Sequence, residues 1–143
     1  MDIFYKIANS IRRAYWFIFR PKTQGVKCLI ENNCEYLLIQ TSYSGKYWTL
    51  PGGGIKQSEN PEQAAKREVK EELGIILDKV NQIGRYESTV EYKKDTIHLF
   101  YATVETKDFK SNTEVSLTGW FSKNEFPKNI SRAIKESIAL ISG

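Results

Sequence analysis

Between residues 51 and 74 the chain interrupts regular structure and then commits to a helix whose two ends are both specified. Pro51, Gly52, Gly53 and Gly54 break any periodic pattern. Asn60 can cap a helix, Pro61 suits its first position, Gln63 completes a capping-box pattern, and Gly74 is placed to end it. Ala65, Val69 and Leu73 recur every four residues, so a helix over 61–73 has one buried stripe and leaves its other face to charged residues.

Strands are expected on both sides. Residues 25–31 and 35–41 are rich in Val, Ile, Leu and Tyr and read as a hairpin with its turn at Asn32 and Asn33. Residues 47–50 read as a short strand, and 81–92 with 96–105 as a second hairpin about Lys93, Lys94 and Asp95. Residues 115–121 are a further strand. The tail over 128–141 places Ile130, Ala133, Ile134, Ser137, Ile138 and Ile141 at helical spacing. Strands, helix, strands and helix make an α+β domain.

With 143 residues, 41% of them hydrophobic, one domain with a sizeable core is expected. It is assigned to residues 21–143. Residues 1–20 form an amphipathic helical extension, with Ile3, Phe4, Ile7, Ile11, Tyr15, Trp16, Phe17 and Phe19 beside Lys6, Arg12 and Arg13. Packing on the domain is the favoured role for it, ahead of a homodimer contact and of a helix resting on lipid. The apolar run 14–19 is far too short to span a membrane.

A two-residue turn at Asn32 and Asn33 would set Cys28 opposite Leu37 and Cys34 opposite Glu31, so both cysteines read as free thiols, with the cytoplasm as the expected compartment. The net charge of +4 suits phosphorylated small molecules. No basic cluster exceeds Arg12 with Arg13 or Lys93 with Lys94, which argues against RNA, and nothing resembles a DNA-reading appendage.

Glu68, Glu71 and Glu72 stand at i, i+3 and i+4, three carboxylates on one helical face. Their repulsion calls for a cation. Arg67 is expected to reach Glu71 at i+4, while Lys70 points away. A hard divalent ion held by oxygen ligands would neutralise the group better; a solvated acidic face is the plain alternative. The glycine run just before this helix favours the ion, because bare backbone can approach an ion or a phosphate closely.

Written out, Gly53, any five residues, Glu59, any seven, Arg67, Glu68, Val69, any one, Glu71, Glu72, any one, Gly74 and Ile75 match the Nudix box at every specified place. The chain thus resembles a Nudix hydrolase. Trp48, Leu50 and Pro51 look like the usual entry to the box, and Trp120, Phe121, Phe126 and Pro127 like the usual closing strand and turn. The resemblance implies an α/β/α sandwich around a mixed sheet, and Mg²⁺- or Mn²⁺-dependent hydrolysis of a nucleoside diphosphate linked to another group. It implies metal binding by Glu68, Glu71 and Glu72, an added carbonyl ligand from Gly52 or Gly53, and an orienting ion pair between Arg67 and Glu59.

The general base is expected to be Glu68, with Glu114 as second candidate. Tyr47, Trp48, Tyr92 and Tyr101 could stack on a base, although aromatic residues in strands are commonly core. His98 is given a structural or substrate-lining role rather than that of ligand or base. ADP-ribose is disfavoured by the lack of a proline between Pro61 and Pro127; dinucleoside polyphosphates, through Tyr92, and nucleoside triphosphates in the manner of MutT stay open. A Nudix-fold domain that binds a nucleotide without cleaving it is the alternative from another class.

Overall fold

A computed structural model describes residues 3, 6–8, 22–90 and 93–143. The strands are β1 (Lys22–Asn32), β2 (Glu35–Thr41), β3 (Gly52–Gly54), β4 (Asn81–Val90), β5 (Lys93–Thr103) and β6 (Val115–Phe121). The helices are α1 (Pro61–Leu73) and α2 (Arg132–Ser142), with a 3₁₀ turn at Lys123–Glu125. Of the N-terminal extension, Ile3, Lys6, Ile7 and Ala8 are helical and exposed; the rest of it lies outside the described residues.

Local chemistry accounts for α1. The Asn60 side chain accepts from the Gln63 N–H at 2.8 Å and the Gln63 side chain accepts from the Asn60 N–H at 2.9 Å, the expected capping box. Gly74 closes the helix at φ 66°, a left-handed conformation that glycine adopts without strain.

The strands form one mixed sheet in the order β4-β5-β1-β2-β6, with β3 paired to β1 off this path. β1 and β5 run parallel; the other pairs are antiparallel. Helices cover both faces, giving the α/β/α sandwich. Val26, Cys28, Ile30, Leu37 and Phe100 pack with Ala64, Ala65, Val69 and Leu73 of α1. Leu29, Leu38, Leu50 and Leu99 pack with Ala133, Ile134 and Ile138 of α2.

Four expectations are corrected. The first turn falls at Asn33 and Cys34, both at positive φ, with Asn32 paired to Glu35, so Cys34 sits in the turn and not opposite Glu31. Both cysteines are free, Cys28 buried and Cys34 exposed. Residues 47–50 are not a strand; they are fastened by isolated bridges from Thr49 to Ile39 and from Trp48 to Ile130. The glycine run, read as a break, is itself a strand: β1 pairs with β2 only near the turn, and beside its first half β3 takes the neighbouring place. A Cβ on Gly52 would lie 1.9 Å from the Val26 carbonyl oxygen, so only glycine permits this approach. Lys93, Lys94 and Asp95, expected in the turn of the second hairpin, belong instead to β5, since Val90 pairs with Lys93.

Candidate active site

Arg67 is the hub of the box. Its Nε and Nη2 donate to the two carboxylate oxygens of Glu59 at 2.6 and 2.8 Å, a two-pronged pair of high directionality. Nη1 donates to Glu68 at 2.7 Å and to Glu71 at 3.3 Å, and Nη2 also reaches the Gly54 carbonyl at 2.9 Å. The contact with Glu71 is the expected one. The contact with Glu68, the next residue in the chain, is additional to it. Hydrogen bonds from Arg67, then from the Lys56 N–H, hold the Glu59 carboxyl down at about 2. Glu59 in turn raises Arg67 above its ordinary value.

Glu72 faces the sheet. It is 5% exposed, and its Oε1 accepts the Gly52 N–H at 2.8 Å. Burial pushes this carboxyl up to about 7, against the pull of the Gly52 N–H and of Lys27. Gly53 lies against the other carboxylate: a Cβ there would meet the Glu68 carboxyl carbon and Oε1 at 2.6 Å.

Glu68, Glu72, Glu114, Gly52, Gly53, Lys27 and Thr49 line one cavity of about 490 Å³. A larger cavity of about 890 Å³ adjoins it, sharing Lys27 and Gly53 and extending over Thr23, Gln24, Lys56, Gln57 and Glu59. Glu71 stands apart from the acidic cavity, with a side chain 52% exposed and joined to the site through Arg67. Trp48 is half-buried in the second core, edge-on to Phe121 at 5.2 Å. Tyr47 is 59% exposed and lines neither cavity. Tyr92 lies outside the described residues.

Lys27 is the residue that sequence reasoning missed. Its Nζ donates to the Leu50 carbonyl at 3.0 Å, and burial lowers its pKa against the attraction of Glu72 and Glu68. The signal was a charged residue in the middle of an apolar strand. His98 has two partners, Gln24 at 2.8 Å and Gln82 at 2.9 Å.

The donor set suits a hard divalent ion: carboxylate oxygens from Glu68, Glu72 and Glu114 beside a wall of bare glycine backbone. Among the described residues, no three carboxylate, imidazole or thiol groups already converge as a closed cation cage. Glu68 instead holds Arg67, and Glu72 holds the Gly52 N–H. An ion would have to compete with those contacts.

Among the described residues no helix is long and apolar enough to cross a membrane. The chain is 29% identical over 106 residues, 73% of its length and 70% of the relative's, to a protein of Bacillus subtilis (strain 168) named as a proposed 8-oxo-dGTP diphosphatase. It is 37% identical over 76 residues to diphosphoinositol polyphosphate phosphohydrolase 3-alpha of Mus musculus, a match over 53% of the chain that spans only 44% of that relative. Among solved structures, a MutT NUDIX hydrolase from Burkholderia pseudomallei superposes with a TM-score of 0.76 at 22% identity, covering 85% of this chain and 98% of that one. Residues 21–141 match the NUDIX domain, and the chain is therefore a NUDIX-family hydrolase.

Proposed function

We propose that the chain hydrolyses the pyrophosphate bond of a nucleoside diphosphate linked to another group, with Mg²⁺, replaceable by Mn²⁺, as cofactor. The observation that carries this reading is the meeting of Glu68, Glu72, Glu114 and the Gly52–Gly53 backbone in one cavity, next to a second cavity large enough for a nucleoside. Two similar proteins are named for such chemistry, one as a proposed 8-oxo-dGTP diphosphatase and one as a diphosphoinositol polyphosphate phosphohydrolase.

Glu72 and Glu68 would hold the ion, with Glu71, Glu114 and a Gly52 or Gly53 carbonyl as further oxygen donors. When bound, Mg²⁺ supplies charge neutralisation for the phosphate oxygens and lowers the pKa of the attacking water. Arg67 cannot lose its proton, and through its bonds it orients the carboxylates of Glu59, Glu68 and Glu71. Lys27 places a positive charge between the two cavities, where a phosphate chain crossing from one to the other would pass. Glu68, held in place by Arg67, is the preferred proton acceptor for the water, and Glu114 the second. Turnover unchanged by Glu114→Gln would remove Glu114 from that role.

The test is a Mg²⁺-dependent phosphate-release screen over nucleoside triphosphates, dinucleoside polyphosphates, nucleotide sugars and ADP-ribose, with the Glu72→Gln protein as blank. Activity absent from the blank supports the reading. Nucleotide binding without hydrolysis of any class would replace it with a nucleotide-sensing domain.

A further inference from the structure

A line of polar side chains crosses the sheet from Gln82 on the edge strand β4, through the buried His98 of β5, to Gln24 of β1 at the larger cavity. Gln82 Nε2 lies 3.4 Å from the Gly84 carbonyl oxygen and 2.9 Å from His98 Nδ1. A carbonyl can only accept, so it fixes the NH₂ end of the Gln82 amide toward itself and toward His98. Nδ1 must then present its lone pair. In the neutral ring the proton stands on Nε2, which donates to Gln24 Oε1 at 2.8 Å. The oxygen of Gln24 is thereby engaged, and its NH₂ is the end of the amide left for a ligand. His98 is buried, and burial, with the nearby Arg85 charge, favours its neutral form. Gln24 is exposed and lines the 890 Å³ cavity.

The consequence is chemical selectivity. Guanine presents two adjacent acceptors, O6 and N7, where adenine sets an N6 donor beside N7, and thymine or uracil presents O4 where cytosine has a donor. An amide locked with its NH₂ outward complements the keto edge; adenine would require the oxygen that His98 occupies. We propose that Gln24 is a specificity-determining residue that selects a keto nucleobase in the larger cavity, with His98 and Gln82 as positioning residues that fix its orientation. This rests on the reading above that the larger cavity receives the nucleoside.

The test uses GMP and AMP, which have no anhydride bond to cleave, titrated calorimetrically into the full chain. GMP is expected to bind about tenfold more tightly than AMP, the discrimination of one good base-edge contact. Gln24→Glu, an exposed and nearly isosteric change, removes the donor and should bring the two affinities together. His98→Phe frees the Gln24 amide to turn, so AMP binding should improve while GMP binding weakens. A purely structural role for His98 would weaken both alike and keep their ratio. Equal affinities in the wild type, no binding of either nucleotide, or a ratio retained in Gln24→Glu would overturn the assignment. A base preference without Mg²⁺-dependent hydrolysis would remove the proposed reaction and leave Gln24 in its role; hydrolysis without base preference would do the reverse.

Discussion

The backbone N–H of Asn112 donates to the carbonyl of Glu72 at 2.8 Å. The Asn112 side chain donates to the Glu71 carbonyl at 3.1 Å and accepts the Glu114 N–H at 3.0 Å, while the Lys110 N–H caps the Leu73 carbonyl at 3.1 Å. Carbonyls at a helix end need such partners. One asparagine thus ties the segment that carries Glu114 to the helix that carries Glu72. Asn112→Ala should cost about 1–2 kcal/mol, the usual net value of two hydrogen bonds, measured by urea denaturation.

Glu72→Gln should lower hydrolysis at least a hundredfold if Glu72 holds the ion as proposed. Its fold should survive, because the amide oxygen still accepts the Gly52 N–H and a buried charge is removed. Val69→Ala, in the core, should instead lose about 1–3 kcal/mol of stability. Activity and thermal melts on the two variants separate site from core.

Arg67→Lys retains the charge and loses the two-pronged bond to Glu59 together with reach to Glu68 and Glu71. Turnover should fall about tenfold or more, since misplaced catalytic groups are costly well before a fold is lost. A melting temperature unchanged beside an unchanged rate would dismiss the hub.

Gly52→Ala and Gly53→Ala should part company. The first drives a Cβ into the Val26 carbonyl and should unfold or strongly destabilise the protein. The second meets the end of the Glu68 side chain, which can swing aside, so stability is largely kept while hydrolysis drops. Circular dichroism melts alongside rates distinguish them.

Burial raises the Cys28 thiol from 9.0 to about 12. The unfolded thiol ionises near 9 while the folded one stays protonated. Its contribution is therefore intact below pH 9 and is lost as pH climbs toward 12. Tyr36, pushed from 10.0 to about 12, adds to the same decline. Urea unfolding of wild type and Cys28→Ala between pH 8 and 11 should show a shallower loss in the variant; parallel curves would contradict it.

α1 was legible because its signals are local: a capping pair three residues apart and a glycine at its end. β2 and β6 were legible for a similar reason, as short apolar runs between turn signals. The Glu59 to Arg67 pair was carried by the spacing of the box. What escaped depends on contacts between residues far apart in the chain. The parallel pairing of β1 with β5, the insertion of β3 beside β1, and the bridge from Gln24 through His98 to Gln82 leave no periodic trace in the segments that make them. Lys27 escaped because the strand pattern says which face a residue occupies, not which charges from α1 meet it there. Trp48 was a base-stacking candidate by type, and its backbone is held by Asn129, Ile130 and Ser131, just ahead of α2 and more than eighty residues later.

β3 contributes no side chains at all, so where it separates the two cavities the wall is bare main chain. The groups facing the larger compartment come chiefly from β1 and the loop after β3, and those facing the acidic one include α1 and the segment before β6. On the proposed reading, recognition and bond cleavage are thus housed in different stretches of sequence, free to diverge at different rates. Lys27, whose side chain borders both, is the position at which a change in one compartment is felt in the other.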